Sequence, residues 1–404
     1  MRIRDWQSTY LVYDKSNNCF VGKPVGNDVT ISQMIFLNRV EFGVGAVDGL
    51  PGELSAAGIR RPMLVTDQGI VAAGLADRVR TLAGSGAILY DSVPPNPTED
   101  AVLVARRIYR EQECDGIIAL GGGSPLDFGK AVALLATHEL PLSRYAAIHG
   151  GTKLIGPAAP VIAIPTTAGT GSEVGRGALI TLACGSKLVI ASPHLLPVVA
   201  LCDPSLTVGL PALLTAATGM DALSHCIESY LSPRFNPPVD AIVLDGAARA
   251  WNAIRTATAQ PGNIQARTDM MVASIQGGLG FLKGLGGVHA LSHPLGALKA
   301  PVLHHGTCNA AILPTILRFN RPVAGNRIDS LQRVMGLPEG QTLEDAVTDM
   351  NLELGLPTSL RQMGVTADMI PALVRGALND HSRPTNPREF GEREATELYC
   401  ELIA

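Results

Sequence analysis

The chain has 404 residues, 46% of them hydrophobic and 17% charged, with a formal net charge of −4. That composition describes a large buried interior, long enough for two domains with separate cores, and its charge makes no electrostatic case for nucleic acid or an anionic membrane. Seven cysteines, an odd number without CxxC spacing, read as free thiols. No signal peptide and no apolar run approaching about 18 residues is found, so the cytoplasm is the expected location.

Residues 1–36 form an extension in which "STYLVYD" and "CFVGKP" flank an Asn pair, the pattern of a hairpin. From about 60 to 205, short apolar runs ("RPMLVTD", "GAILYDSV", "DGIIALGGG", "PVIAIPTT", "PVVALCDP") alternate with amphipathic segments such as "TEDAVLVARRIYREQE". This rhythm predicts a mostly parallel sheet with helices on both faces. From about 206, Ala-, Leu- and Gly-rich helical patterns run almost to the end. The expected fold class is therefore an α/β domain over 1–205, with 1–36 as its extension, and an all-α domain over 206–404, with a cleft between them.

Within the first half, the run "MLVTD" ends in Asp67, a carboxylate placed either to accept ribose hydroxyls or to cap the next helix; the first role favours NAD over NADP. Gly121-Gly122-Gly123 follows a strand-like run and precedes Ser124, a good N-cap, and Pro125, suited to the first helical position. Such a loop presents backbone amides to an anion at a helix N-terminus. "IPTTAGTGSEVG" (164–175) is a second loop after a strand, and two such loops at one sheet edge favour a dinucleotide.

In the second half, Asp221 and His225 are four apart on a helical pattern, and Glu228 shares their face. His289 and His293 repeat that spacing, and His305 follows before a glycine. One carboxylate and three imidazoles make a mixed oxygen–nitrogen set suited to Fe(II) or Zn(II).

Taken together, "LVTD", "PPNPTED", "GGGSPLDFGKA", "IPTTAGTGSEV", "GMDALSHCIESY" and "GGVHALSHPLGA…HHGTCNAAILP" resemble the iron-containing (group III) alcohol dehydrogenases from about Phe36 to the C-terminus. The resemblance implies a Rossmann-like dinucleotide-binding domain followed by an all-α metal-binding domain. It also implies reversible hydride transfer between a primary or secondary alcohol, or its aldehyde or ketone, and NAD. Carried over by motif, the metal ligands fall on Asp221, His225, His289 and His305, holding Fe²⁺ with Zn²⁺ as the alternative. His293 matches the histidine that moves the proton, and His304 is a rival to His305. Nucleotide contacts fall on Asp67, Asn96, Gly122, Gly123, Ser124, Thr166, Thr167 and Lys187. Departures are Gly175-Arg176 where members carry Thr or Ser, and Lys283 with a one-residue deletion before His289; both are read as marks of an altered substrate pocket. The expected partners are a small alcohol or aldehyde and further copies of the chain, as a homodimer or larger homo-oligomer. Competing readings are a lyase resembling dehydroquinate synthase, a transhydrogenase on the same scaffold, and a non-catalytic metal- or nucleotide-binding protein.

Overall fold

The computed structural model describes residues 9–14, 19–24, 38–183, 185–298 and 300–404. The chain divides into two compact units, 1–35 and 36–404. In the first, β1 (Thr9–Asp14) pairs antiparallel with β2 (Cys19–Pro24), the expected hairpin; the Asn pair at its turn lies outside the described residues.

The second unit opens with β3 (Arg39–Phe42) and α1 (Leu50–Ala56), then β4 (Pro62–Val65), α2 (Gln68–Ala72), α3 (Leu75–Ala83) and β5 (Ile88–Tyr90). It continues with α4 (Glu99–Glu111), β6 (Gly116–Gly121), α5 (Gly123–Thr137) and β7 (Val161–Pro165). A two-stranded antiparallel ribbon of β8 (Gly177–Thr181) and β9 (Lys187–Ala191) follows, and β10 (Val199–Cys202) closes the sheet. The six-stranded sheet has the order β3-β10-β7-β6-β4-β5 and every neighbouring pair is parallel. The five strand-like runs of the sequence supply five of these strands. β3 and the ribbon escaped the sequence reading, because four half-exposed residues carry little periodic signal and the ribbon contains Gly177 and Lys187.

Alternation along each strand divides the core in two. Leu64, Ile118, Leu120, Ile162, Ile164 and Leu201 face Leu54 and Val79 of α1 and α3. Met63, Val65, Ile117, Ala119 and Ala163 face the opposite way and join the larger core that includes the C-terminal helices.

Those helices are α6 (Ala212–Leu231), α7 (Pro237–Ala259), α8 (Ile264–Gly280), α9 (Gly287–Leu295) and α10 (His305–Val334), followed by α11 (Leu343–Glu353), α12 (Ile370–Leu378) and α13 (Glu392–Leu402). α6 is the axis of this part, since every residue from Thr215 to Leu231 is buried. A helix covered on all sides needs small residues where neighbours approach, which accounts for the Ala/Gly texture. Among the described residues no helix is long and apolar enough to cross a membrane. The cysteines at 114, 202, 226 and 308 are buried free thiols, and Cys400 is exposed.

Candidate active site

The carboxyl ends of β4, β6 and β7 open on one cleft, and every residue singled out for nucleotide or metal lines it. Gly121 has φ +143°, and a Cβ there would lie 2.6 Å from Pro125 Cγ, so the chain leaves β6 by a turn that only glycine makes. The sequence reading put the N-cap of the next helix at Ser124; the helix instead begins at Gly123, with Gly122 as N-cap and no side chain capping it. The glycines let the helical turn start two residues earlier than the cap preference suggests. Ser124 then sits in the first turn and donates to the Pro95 carbonyl. The uncapped amides face the cleft as an anion cradle.

Asp67 takes the capping role that the sequence left open, accepting from Ile70 N at 3.0 Å, and its carboxylate still lines the cleft. Asn96 accepts from Lys187 Nζ at 2.9 Å across 91 residues, linking the loop after β5 to the ribbon. Thr166 donates its backbone N–H to Gly121 O at 3.0 Å, and its buried hydroxyl has no hydrogen-bond partner. The loop 166–177 is fixed from beneath by Lys130. Its fully buried ammonium donates to Ser172 O at 2.7 Å, Ser172 Oγ at 2.8 Å and Gly177 O at 2.8 Å.

At the other end of the cleft, Asp221 and His225 project from α6, His289 from α9 and His305 from the first turn of α10. Asp221 Oδ1 lies 3.6 Å from His225 Nε2, 3.8 Å from His289 Nε2 and 3.7 Å from His305 Nε2. Two of the three rings are set by their other nitrogen, while the buried His305 Nδ1 has no hydrogen-bond partner. His225 Nδ1 lies 3.1 Å from Gly169 O, and His289 Nδ1 lies 2.5 Å from Glu228 Oε2. A carbonyl and a carboxylate only accept, so both Nδ1 atoms carry protons, and both Nε2 atoms face Asp221. Glu228 is itself fixed by the Val288 amide at 2.6 Å.

Burial opposes ionisation of Asp221, yet His225, His305 and His289 hold it well below the usual carboxylate range. Burial likewise opposes charge on His289, but Glu228 and then Asp221 raise it to about 9, whereas burial lowers His225 to about 4. Burial thus opposes charge on all three imidazoles, and only at His289 do the two buried carboxylates prevail. A donor set of one oxygen and three nitrogens, short of positive charge, fits a divalent cation.

His293 stands one turn beyond His289. Its Nδ1 lies 2.8 Å from Asp380 Oδ2, and its ring stacks between those of His305 and His381 at centroid distances of 5.4 and 5.3 Å. His304 is the exposed N-cap of α10 with its ring toward Thr307, so the structure brings His305 to Asp221 and leaves His304 outside the cluster.

Two side chains at this end were not found from sequence. Asn309 Nδ2 donates to Asp221 Oδ1 at 2.7 Å and lies 3.1 Å from both His289 Nε2 and His305 Nε2. Its position four residues after His305 on one helix was the available signal. Asp380 had none, lying 87 residues from His293 in a loop. Lys283, read as a mark of an altered pocket, is instead buried away from the cleft. Its Nζ pairs with Asp240 Oδ1 at 2.5 Å, beside Arg327, whose guanidinium covers the Tyr230 ring at 4.0 Å.

Residues 38–204 match the family model described as iron-containing alcohol dehydrogenase, and residues 215–403 match the C-terminal model of the same family. The chain is 53% identical over 363 residues to a 4-hydroxybutyrate dehydrogenase of Cupriavidus necator, a match covering 88% of this chain and 95% of that one. It is 36% identical over 373 residues to a 1,3-propanediol dehydrogenase of Klebsiella pneumoniae, covering 89% and 95%. Among solved structures, a sulfoacetaldehyde reductase of Bifidobacterium kashiwanohense in complex with NAD+ superposes with a TM-score of 0.83 at 29% identity, covering 93% of this chain and 99% of that one.

Proposed function

Because the chain belongs to the iron-containing alcohol dehydrogenase family and is an alcohol/aldehyde oxidoreductase, we propose how its residues divide that work. Asp221, His225, His289 and His305 hold one divalent metal, iron(II) before zinc(II). Asp67, Asn96, Gly122, Gly123, Ser124, Thr166, Thr167 and Lys187 hold NAD(H). Residues 1–205 thus serve as the nucleotide part and 206–404 as the metal and substrate part. The observation that carries this reading is the convergence of three Nε2 atoms, from α6, α9 and α10, within 3.6–3.8 Å of one Asp221 oxygen. When bound, the cation supplies Lewis acidity to a substrate hydroxyl and the nicotinamide a hydride acceptor.

The chain's own residues do the rest. Glu228 and the Gly169 carbonyl fix His289 and His225 so that their lone pairs point inward. Asp380 accepts a hydrogen bond from His293 Nδ1–H, leaving Nε2 free to accept the proton that leaves the substrate hydroxyl. The stacked His381 beside it marks the way to solvent. Lys130 keeps the loop 166–177 in the shape that receives the nucleotide.

The substrate is a short alcohol or its aldehyde, and the 53% identical relative points to 4-hydroxybutyrate and its semialdehyde. The protein works in the cytoplasm as a homo-oligomer. His225→Ala is expected to remove bound metal and turnover together; full NAD-linked activity in a variant shown by elemental analysis to lack metal refutes the assignment. NADH accumulating in stoichiometric amounts separates this chemistry from a reaction that uses NAD only transiently.

A further inference from the structure

The cleft is lined by side-chain cations that a neutral alcohol does not require. Besides histidines, its side-chain cations are Lys187, Arg176 and Arg234. Lys187 is already engaged, its Nζ donating to Asn96 Oδ1 at 2.9 Å. The two arginines are exposed, and among the described residues neither has a carboxylate within 4.0 Å. Both belong to segments that adjoin Phe281. The Phe281 ring stands edge-on to His225 with centroids 4.9 Å apart. Phe281 also lies against Gly175, where an added Cβ would touch Phe281 Cδ2 at 3.6 Å, and Arg176 is the next residue. Arg234 follows Ser232, whose hydroxyl donates to Lys283 O at 2.7 Å and so ties that segment to the loop leaving Phe281.

Scale supports a small substrate lying along Phe281. From His225 to the end of α6 at Leu231 the rise is about 9 Å. A four-carbon chain and an arginine side chain together bridge that gap. At 175, glycine places no side chain between Phe281 and the backbone beside Arg176. Two of the similar proteins named above, the 4-hydroxybutyrate dehydrogenase and the sulfoacetaldehyde reductase, have substrates with an anionic group at the end away from the reacting carbon.

We propose that Arg176 and Arg234 form the anion-recognising end of the pocket, with Phe281 as the wall along the methylene chain, and that this selects short hydroxy acids carrying a carboxylate at the far end over neutral alcohols. Guanidinium groups suit this task because their planar fork bonds a carboxylate through two parallel N–H donors. The inference rests on the oxidoreductase reading above and adds the substrate class and the residues that set it.

The test compares metal-loaded, full-length protein on 4-hydroxybutyrate and on 1,4-butanediol, two four-carbon primary alcohols that differ only at the far end. The unaltered protein is expected to favour the acid. In R176Q/R234Q, KM for 4-hydroxybutyrate is expected to rise about 10- to 100-fold, the range for losing charge-assisted hydrogen bonds. Butanediol kinetics and KM for NAD should stay within about twofold, and R176K/R234K should recover part of the preference because charge persists without the fork. An unaltered preference in the glutamine variant overturns the proposal, as does an equal loss on both substrates or a rise confined to KM for NAD. If the unaltered protein oxidises neither compound, the oxidoreductase reading itself fails, an outcome distinct from oxidising both without preferring the acid.

Discussion

Asn309 shows how much of a metal site resides in side chains that do not bind the metal. A neutral amide donating to Asp221 Oδ1 at 2.7 Å, while packed within 3.1 Å of two imidazole nitrogens, fixes the carboxylate through which three histidines are related. Partners of this kind orient ligands, and losing one typically costs about 10- to 100-fold in metal affinity. Asn309→Ala is therefore expected to weaken metal binding by that order while the protein stays folded. A chelator-competition titration checks it, and an unchanged affinity would show that Asp221 is held by packing alone. Asp221, His225 and the histidine pair of α9 were legible in the sequence because helical spacing places i and i+4 on one face. Asn309 lies at the same spacing from His305, yet an amide has no ligand chemistry to draw notice.

Elements meet at this site by backbone approach, and glycine is the device. A Cβ on Gly306 would lie 2.3 Å from Ala217 O and 3.3 Å from Asp221 Cβ, so the start of α10 is pressed against α6 where both carry candidate ligands. Gly306→Ala has to move one helix from the other. The expected outcome is a loss of about 1–3 kcal/mol, typical of overpacking, together with weaker metal retention. Urea unfolding and elemental analysis read the two effects, and a variant with unaltered stability and metal content would mean that the contact relaxes at no cost. In the sequence this glycine appears only as the residue after "HH". The parallel strands were read because fully buried strands are continuous apolar runs. The start of α5 was misplaced because tertiary demand at Gly121–Gly123 overrode the cap preference of Ser124.

At the scale of the whole molecule, the loop between the two halves of the cleft is braced by buried charge. Glu173 is buried, and burial raises its carboxyl to about 7, with its own backbone hydrogen bond and Lys130 opposing that rise. Between its ordinary value of 4.5 and about 7, the folded chain keeps a proton at Glu173 that the unfolded chain has lost. The stabilising contribution is thus complete below 4.5 and is lost as pH rises through 7, by about 1.4 kcal/mol per unit in that window. Glu173→Gln should flatten this part of the stability profile relative to the unaltered chain. Urea midpoints measured from pH 4.5 to 7.5 decide it, and parallel profiles in the two proteins would exclude Glu173 as the source.

By itself the sequence determined the class of the protein. Apolar runs, two loops rich in small residues and three i, i+4 or near-neighbour polar pairs are local patterns, and local patterns follow from strand and helix geometry alone. The tertiary structure decided what depends on distant segments meeting. It brought His305 rather than His304 to Asp221, and it turned Lys283 away from the pocket into a pair with Asp240. It also set Asp380 behind His293 and brought Arg176, Arg234 and Phe281 to the lining of one cleft. None of these pairings has a fixed spacing along the chain, because each is set by where helices cross and loops close rather than by the repeat of any one element.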